Sequence, residues 1–257
     1  MRHILVIDIE TKSGNNIETS LYPFTKTLKV SAKAKGNPMA EARERKENQA
    51  EIIEKALLSP VCSQILCIGV NEIEIPQSGE RIDILGDVEQ KATRKWHFII
   101  SPNEENMLRE LHSLMRNNSE YVTFNGRGFD FPFLMFRAAI RRVPLTLPIY
   151  PYNGKDRHFD LMVHLNSVSN LHMLDRSMQY ISLKKWIEYF NLPYEKPSIK
   201  DGGIDLEQLL IGDRLETIEK YCRDDVDATT DLWDIFKGNF EETPQWKMGQ
   251  LASKDIY

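Results

Sequence analysis

No stretch of this 257-residue chain approaches the roughly 20 consecutive apolar residues that a membrane span needs. The first apolar run stops at Asp8, too short for a signal peptide, so a cytoplasmic location without a membrane partner is expected. Cysteine is scarce. Cys62, Cys67 and Cys222 are odd in number and have no Cys or His partners at zinc-finger spacing, so they read as reduced core residues rather than a disulfide framework. No G-x-G-x-x-G or P-loop pattern occurs, which removes the common dinucleotide and nucleoside-triphosphate folds. Positive charge is also short. The net charge of −5 argues against a general nucleic-acid coat protein. Internal repeats and low-complexity blocks are absent.

What remains is an ordinary globular composition, 41% hydrophobic and 28% charged. A chain of this length buries about three quarters of its unfolded surface and needs neither disulfides nor metals for stability. The expected organisation is one domain over residues 1–237 and a polar C-terminal extension over 238–257. Within the domain, residues 11–62 form a long, basic elaboration (Lys26, Lys29, Lys33, Lys35, Arg43, Arg45, Lys46), either a lid or a peripheral helix. A second basic stretch comprises Arg127, Arg137, Arg141, Arg142, Lys155 and Arg157. A solvated face is the simplest reading of each.

Ile4–Ile9 reads as a central strand, apolar on both faces. Asn37-Pro38 opens a helix over about 39–58, closed by Ser59-Pro60. Strands are expected over Gln64–Val70, Arg81–Leu85, Trp96–Ile100 and Tyr121–Phe124. Helices are expected over 103–116, 131–142, 159–166, 182–191, 205–211 and 214–237. Strands early and helices late, with alternation between, predict an α/β architecture: one mixed β-sheet flanked by helices.

Chemistry first shows at Asp8-Ile9-Glu10. Residues two apart on a strand share a face, so both carboxylates project side by side from the end of an apolar run. Two like charges there repel and are costly to desolvate, and a divalent cation between them removes both costs. Oxygen-only ligands suit Mg²⁺ or Mn²⁺ better than zinc. The competing reading makes one acid a turn cap and leaves the other exposed. A second signal, Asn125-Gly126-Arg127-Gly128-Phe129-Asp130, sits where a strand hands over to a helix. Asp130 there has the position of an N-cap, the glycines permit close backbone approach to a bound chain, and Phe129 could stack on a base.

The third signal lies on the 214–237 helix, which Asp213 and Glu216 open as a capping box. At about 100° per residue, Leu215, Ile218, Cys222, Val226, Thr229, Trp233 and Phe236 form one stripe. Asp225 falls on its edge, with Tyr221 one turn earlier, while Asp224, Asp227 and Asp231 are expected to face water.

In this order, Asp-x-Glu, Asn-Gly-x-x-Phe-Asp and Tyr-x-x-x-Asp resemble the three exonuclease motifs of the DnaQ-like DEDD superfamily, whose fold is ribonuclease H-like. Tyr221 matches the tyrosine (DEDDy) branch; the histidine branch needs His at position 220, which is Lys. The chain looks similar to stand-alone proteins related to the 3′–5′ exonuclease domain of family B DNA polymerases. The resemblance runs over about residues 3–236 and includes the Ala56–Pro60, His158–Leu161 and Ser182–Trp186 segments. It implies Asp8, Glu10, Asp130 and Asp225 as ligands of two divalent ions, Mg²⁺ or Mn²⁺, with Tyr221 orienting the attacking water. Two such ions about 3.5–4 Å apart stabilise attacking and leaving oxygens. Thr11, Asn125 and Phe129 are expected to contact the substrate. His158 and Asp160 are expected to be structural, a hydrogen-bonded pair beside a helix start.

The expected function is a metal-dependent 3′–5′ exonuclease that releases nucleoside 5′-monophosphates from single-stranded DNA 3′ ends. The remaining sequence has no room for a polymerase palm or thumb, so a polymerase or repair partner would act in trans. Three alternatives stay open. One is a 3′–5′ exoribonuclease with the same site, since no residue is assignable to reading a 2′-OH. The others are a catalytically degenerate nucleic-acid-binding protein and a phosphomonoesterase or phosphotransferase. All four acids and the tyrosine are present, which disfavours the degenerate site, and Glu10 stands where the phosphatase chemistry commonly wants Asp.

Overall fold

The computed structural model describes residues 1–13, 31, 35–44, 58–76, 92–149, 156–173, 175, 180–194 and 214–241. The expected strand at Arg81–Leu85, the helix at 205–211, Asp213 and most of the basic 11–62 elaboration lie outside them. Within that elaboration residues 38–44 are helical, and Asn37 Oδ1 caps them by accepting from the Met39 and Ala40 amides at 3.2 Å.

Five strands form one sheet: β1 (Arg2–Ser13), β2 (Ser63–Ile75), β3 (Thr93–Ile100), β4 (Glu120–Thr123) and β5 (His158–Asp160), in the order β3-β2-β1-β4-β5. β1 is central because its run is apolar on both faces, and Ile4 to Ile7 are almost completely buried. β1, β2 and β3 pair antiparallel, whereas β4 runs parallel to both β1 and β5. The sheet is therefore mixed and the architecture α/β, as expected.

The helices are α1 (Glu104–Leu114), α2 (Asp130–Arg141), α3 (Leu161–Ser169), α4 (Leu183–Tyr189) and α5 (Leu215–Glu241). The alternation of β1 assigns them to layers. Leu5, Ile7 and Ile9 pack with Met107, Leu108 and Leu111 of α1 and Phe131, Phe133 and Leu134 of α2. Ile4 and Val6 point the other way, onto Leu161 of α3, Trp186 of α4 and Val226, Leu232 and Trp233 of α5. Asp8 and Glu10 continue this second face. They are aimed at α5 by parity alone.

Some expectations need correction. A helix was expected from Phe159, but residues 158–160 instead add the edge strand β5 to β4 before α3 starts. A β-bonded segment of three residues is too short to carry a period. α5 runs to Glu241, past the expected boundary at 237, and Leu215 of its proposed apolar stripe is 40% exposed. Asp227 and Asp231 are not simply solvent-facing: Asp227 accepts from Asn71 Nδ2 at 2.7 Å and Asp231 from the Tyr194 hydroxyl at 2.7 Å. Asp224 pairs with Lys220 on the outer side of α5. The second basic stretch is no plain solvated face either. Glu104, 4% exposed, accepts from Arg137 Nε (2.8 Å) and Nη2 (2.6 Å), from Arg141 Nε (2.8 Å) and from the Ile65 amide (3.0 Å). Arg127 is spent on Asp156 and the Ile149 carbonyl. Arg137 and Arg141, through Glu104, hold α1, α2 and β2 together. Among the described residues no helix is long and apolar enough to cross a membrane.

Candidate active site

Asp8 and Glu10 leave β1 on the face that α5 covers, and Asp225 leaves α5 toward them. One ligand oxygen from each lies within 4.8 Å of the others. Asp225 is 4% exposed, and Asp8 and Glu10 are half-buried. Three carboxylates this close repel strongly unless a cation or protons intervene. The donor set is oxygen only, open on the strand side and buried on the helix side, and it fits a hard divalent ion such as Mg²⁺ or Mn²⁺.

A register shift accompanies the cluster. Glu10 pairs with Cys67 and Thr11 with Ile65, so Leu66 is skipped between them. Such a bulge bends the strand and re-aims its neighbours. Opposite Asp8 stands Gly69. A Cβ there would come within 2.6 Å of Cys222 Sγ, 2.9 Å of the Trp96 ring and 3.0 Å of Val226 Cγ2. Only glycine lets α5 close onto the sheet at this level and bring Asp225 to the strand. Sequence reasoning passed over this residue, although a lone glycine inside the apolar run Gln64–Val70 is a known sign of close backbone approach.

Asp130 enters from the opposite layer. It is the first residue of α2 rather than its cap, is 3% exposed, and its Oδ1 accepts from the Ile9 amide at 3.1 Å. The fourth acid therefore sits on the β1 backbone between Asp8 and Glu10, outside the group of three within 4.8 Å. Its place in the first turn of α2 suits its charge.

The turn before it is built by other residues. Asn125 adopts φ 66°, a left-handed conformation that asparagine tolerates better than most. Its carbonyl accepts from the Gly128 amide at 3.0 Å and the Phe129 amide at 2.9 Å. Asp160 accepts from the amides of Asn125 (3.0 Å) and Arg127 (2.9 Å) and also caps α3 through Met162 (3.1 Å). Asp160 is thus the anchor of the turn, legible in the sequence only as an acid before a helix. His158 is structural as expected, but it bonds Thr123 Oγ1 (2.7 Å) and stacks on Phe131 (4.1 Å between centroids) rather than pairing with Asp160. Phe129 is half-buried, its ring 5.6 Å from that of Phe133. Thr11 is half-buried, just past the bulge.

Tyr221 is half-buried beside the cluster. Burial raises its phenol well above the usual range, and the charges of Glu10, Asp225 and Asp8 raise it further. Both effects favour the protonated hydroxyl. Next to it Cys222 is fully buried, its thiol raised by a hydrogen bond with Cys67, by burial and by the charges of Asp8 and Glu10. The three cysteines are free and buried, as expected.

The family model of the RNase_H superfamily matches residues 83–199. That span holds β3, α1, β4, α2, β5, α3 and α4 and, of the candidate acids, Asp130 alone. It supports a place in the ribonuclease H-like superfamily, with which the five-stranded mixed sheet and its flanking helices are consistent, and it suggests a nuclease-type hydrolase. No curated protein matches the chain.

Proposed function

We propose that this protein is a metal-dependent 3′–5′ exonuclease of the tyrosine-containing DEDD type, acting on single-stranded DNA ends and releasing nucleoside 5′-monophosphates. The observation that carries the reading is the convergence of Asp8, Glu10 and Asp225, from opposite ends of the chain, to within 4.8 Å beside Tyr221. Structural acids are seldom gathered in this way, because the folded state must bear their repulsion.

Asp8, Glu10 and Asp225 would hold divalent ions, with Asp130 completing the ligand set from the end of α2. Ions bound there supply charge neutralisation at the scissile phosphate and a more acidic water. The chain's own residues do the rest. Without a cation the acids repel a phosphodiester, so they make substrate binding conditional on metal. Tyr221, held protonated, orients the attacking water by donating or by fixing its position, and is poorly suited to be the base. The Asn125–Asp130 turn, pinned by Asp160, offers Asn125 and Phe129 to the terminal nucleotide, as does Thr11 from beyond the bulge.

The test is incubation with 3′- and 5′-end-labelled single-stranded DNA and RNA in Mg²⁺, Mn²⁺ or EDTA, alongside Asp8→Ala and Asp225→Ala. Mononucleotide release from DNA 3′ ends, abolished by EDTA and by either substitution, is expected. Metal-independent cleavage, or undiminished activity in both variants, sinks the mechanism; degradation of RNA alone changes the substrate and leaves the site intact.

A further inference from the structure

At the other end of the central strand a second cluster gathers nitrogen as well as oxygen donors. The Glu72 carboxylate lies between two imidazoles: Oε1 is 2.9 Å from His3 Nε2, and Oε2 is 2.9 Å from His97 Nε2. Ligand atoms of His3, Glu72 and Glu74 all lie within 4.8 Å of one another. His3 is held from behind, its Nδ1 2.7 Å from Ser119 Oγ, which fixes the ring and turns Nε2 toward the carboxylates. Partial burial of the Glu72 carboxyl pushes it up, but hydrogen bonds from His3 and His97 outweigh this and hold it below the usual range. Arg116 also sits at the carboxylates, its Nη2 reaching Glu72 Oε1 at 3.1 Å and Glu74 Oε1 at 2.7 Å from a half-exposed position.

We propose that His3, Glu72 and Glu74 form a site for one Zn²⁺ ion, distinct from the acid cluster, with His97 as a positioning residue that holds Glu72 by its other carboxylate oxygen. One imidazole and two carboxylates, with the fourth position left to water, are a zinc-type donor set, unlike the all-oxygen set of Asp8, Glu10 and Asp225. Bonds of about 2.0–2.2 Å in a tetrahedron put ligand atoms roughly 3.3–3.5 Å apart. The 2.9 Å separation of His3 Nε2 from Glu72 Oε1 therefore needs only a small opening. Arg116 occupies the cation's place on the carboxylates and leaves toward solvent as the ion enters. His3 precedes Asp8 by five strand residues, a separation of about 16 Å, so the two sites do not share ligands. A bound ion ties β1 to β2 on the face of the sheet that His3 shares with Leu5.

The experiment uses the full chain carrying Asp8→Ala and Asp225→Ala, which removes the acid cluster and makes the outcome independent of any nuclease activity. Zn²⁺ is titrated calorimetrically in excess Mg²⁺, and Co²⁺ is added to report four-coordinate geometry by its visible absorption. One equivalent of Zn²⁺ is expected, weakened roughly tenfold or more by His97→Ala. Arg116→Ala, which removes the competing cation, is expected to tighten binding; a merely structural ion-pair cluster predicts no zinc binding in either background. Circular dichroism confirms that each variant is folded, and both substituted positions are accessible enough to be changed without emptying the core. No zinc binding by the parent, or binding that His97→Ala leaves unchanged, overturns the site.

Discussion

A phenol surrounded by carboxylates is a poor base and a good donor, and Tyr221 is in that position. Burial and the charges of Glu10, Asp225 and Asp8 all oppose its ionisation. In the proposed hydrolysis its part is therefore geometric, and Tyr221→Phe is expected to slow 3′-end hydrolysis by about 10²-fold while Mg²⁺ affinity stays near that of the parent. Loss of metal in that variant, read by calorimetry, would make the residue structural. His158 gives a pH-dependent test of the neighbouring scaffold. Burial pushes its imidazole down to about 3, with the Arg127 charge acting in the same direction. The unfolded chain takes up a proton below about 6.5 that the folded chain refuses. The contribution of His158 to stability is thus full above pH 6.5 and is lost as pH falls from there toward 3, at up to about 1.4 kcal/mol per pH unit. His158→Gln is expected to flatten that dependence between pH 7 and 4.5 in urea unfolding curves; an unchanged slope would mean the imidazole titrates freely in the fold.

Among the elements, the junction of β2 with α5 decides whether the acids meet. Gly69→Ala sets a methyl against Cys222, Trp96 and Val226. Overpacking of this kind costs about 1–3 kcal/mol. The helix is expected to shift outward and carry Asp225 from Asp8 and Glu10, so that activity falls even where urea curves show the variant fully folded. Wild-type activity in folded Gly69→Ala would mean that α5 is not seated by this contact. The same junction explains what was legible beforehand. Strand parity paired Asp8 with Glu10, and helical periodicity separated Asp225 from Asp224, Asp227 and Asp231, because both depend on local repeats of backbone geometry. The mixed sheet followed from element order in the same way. The bulge at Leu66, the seat at Gly69 and the hold of Asp160 on the 125–128 turn depend on contacts between distant segments, which no local period encodes. The basic stretch at 127–142 misled for the same reason: Glu104, the partner of Arg137 and Arg141, lies more than thirty residues away in sequence.

At the scale of the whole molecule, the acid cluster joins the first strand to the last described helix, and its repulsion works against the packing of Val226, Leu232 and Trp233 on Ile4 and Val6. A cation bound by all three acids reverses that sign and fastens α5 to β1. The folded state, which assembles the proposed site, should bind Mg²⁺ far better than the unfolded chain, which scatters the acids over more than two hundred residues. Saturating Mg²⁺ at about a hundred times its dissociation constant should therefore add about 2.7 kcal/mol. For Asp225→Asn two opposite changes are expected. Without metal the variant should unfold at a higher temperature than the parent, because one charge of three is gone while the shape is kept. With Mg²⁺ it should gain little, so the order of the two melting temperatures inverts as the ion is added. A destabilised metal-free Asp225→Asn, or a Mg²⁺ gain equal to that of the parent, would mean that the acids are held by protein partners and not by a cation. Differential scanning calorimetry of both proteins in EDTA and in Mg²⁺ distinguishes these outcomes without reference to any substrate.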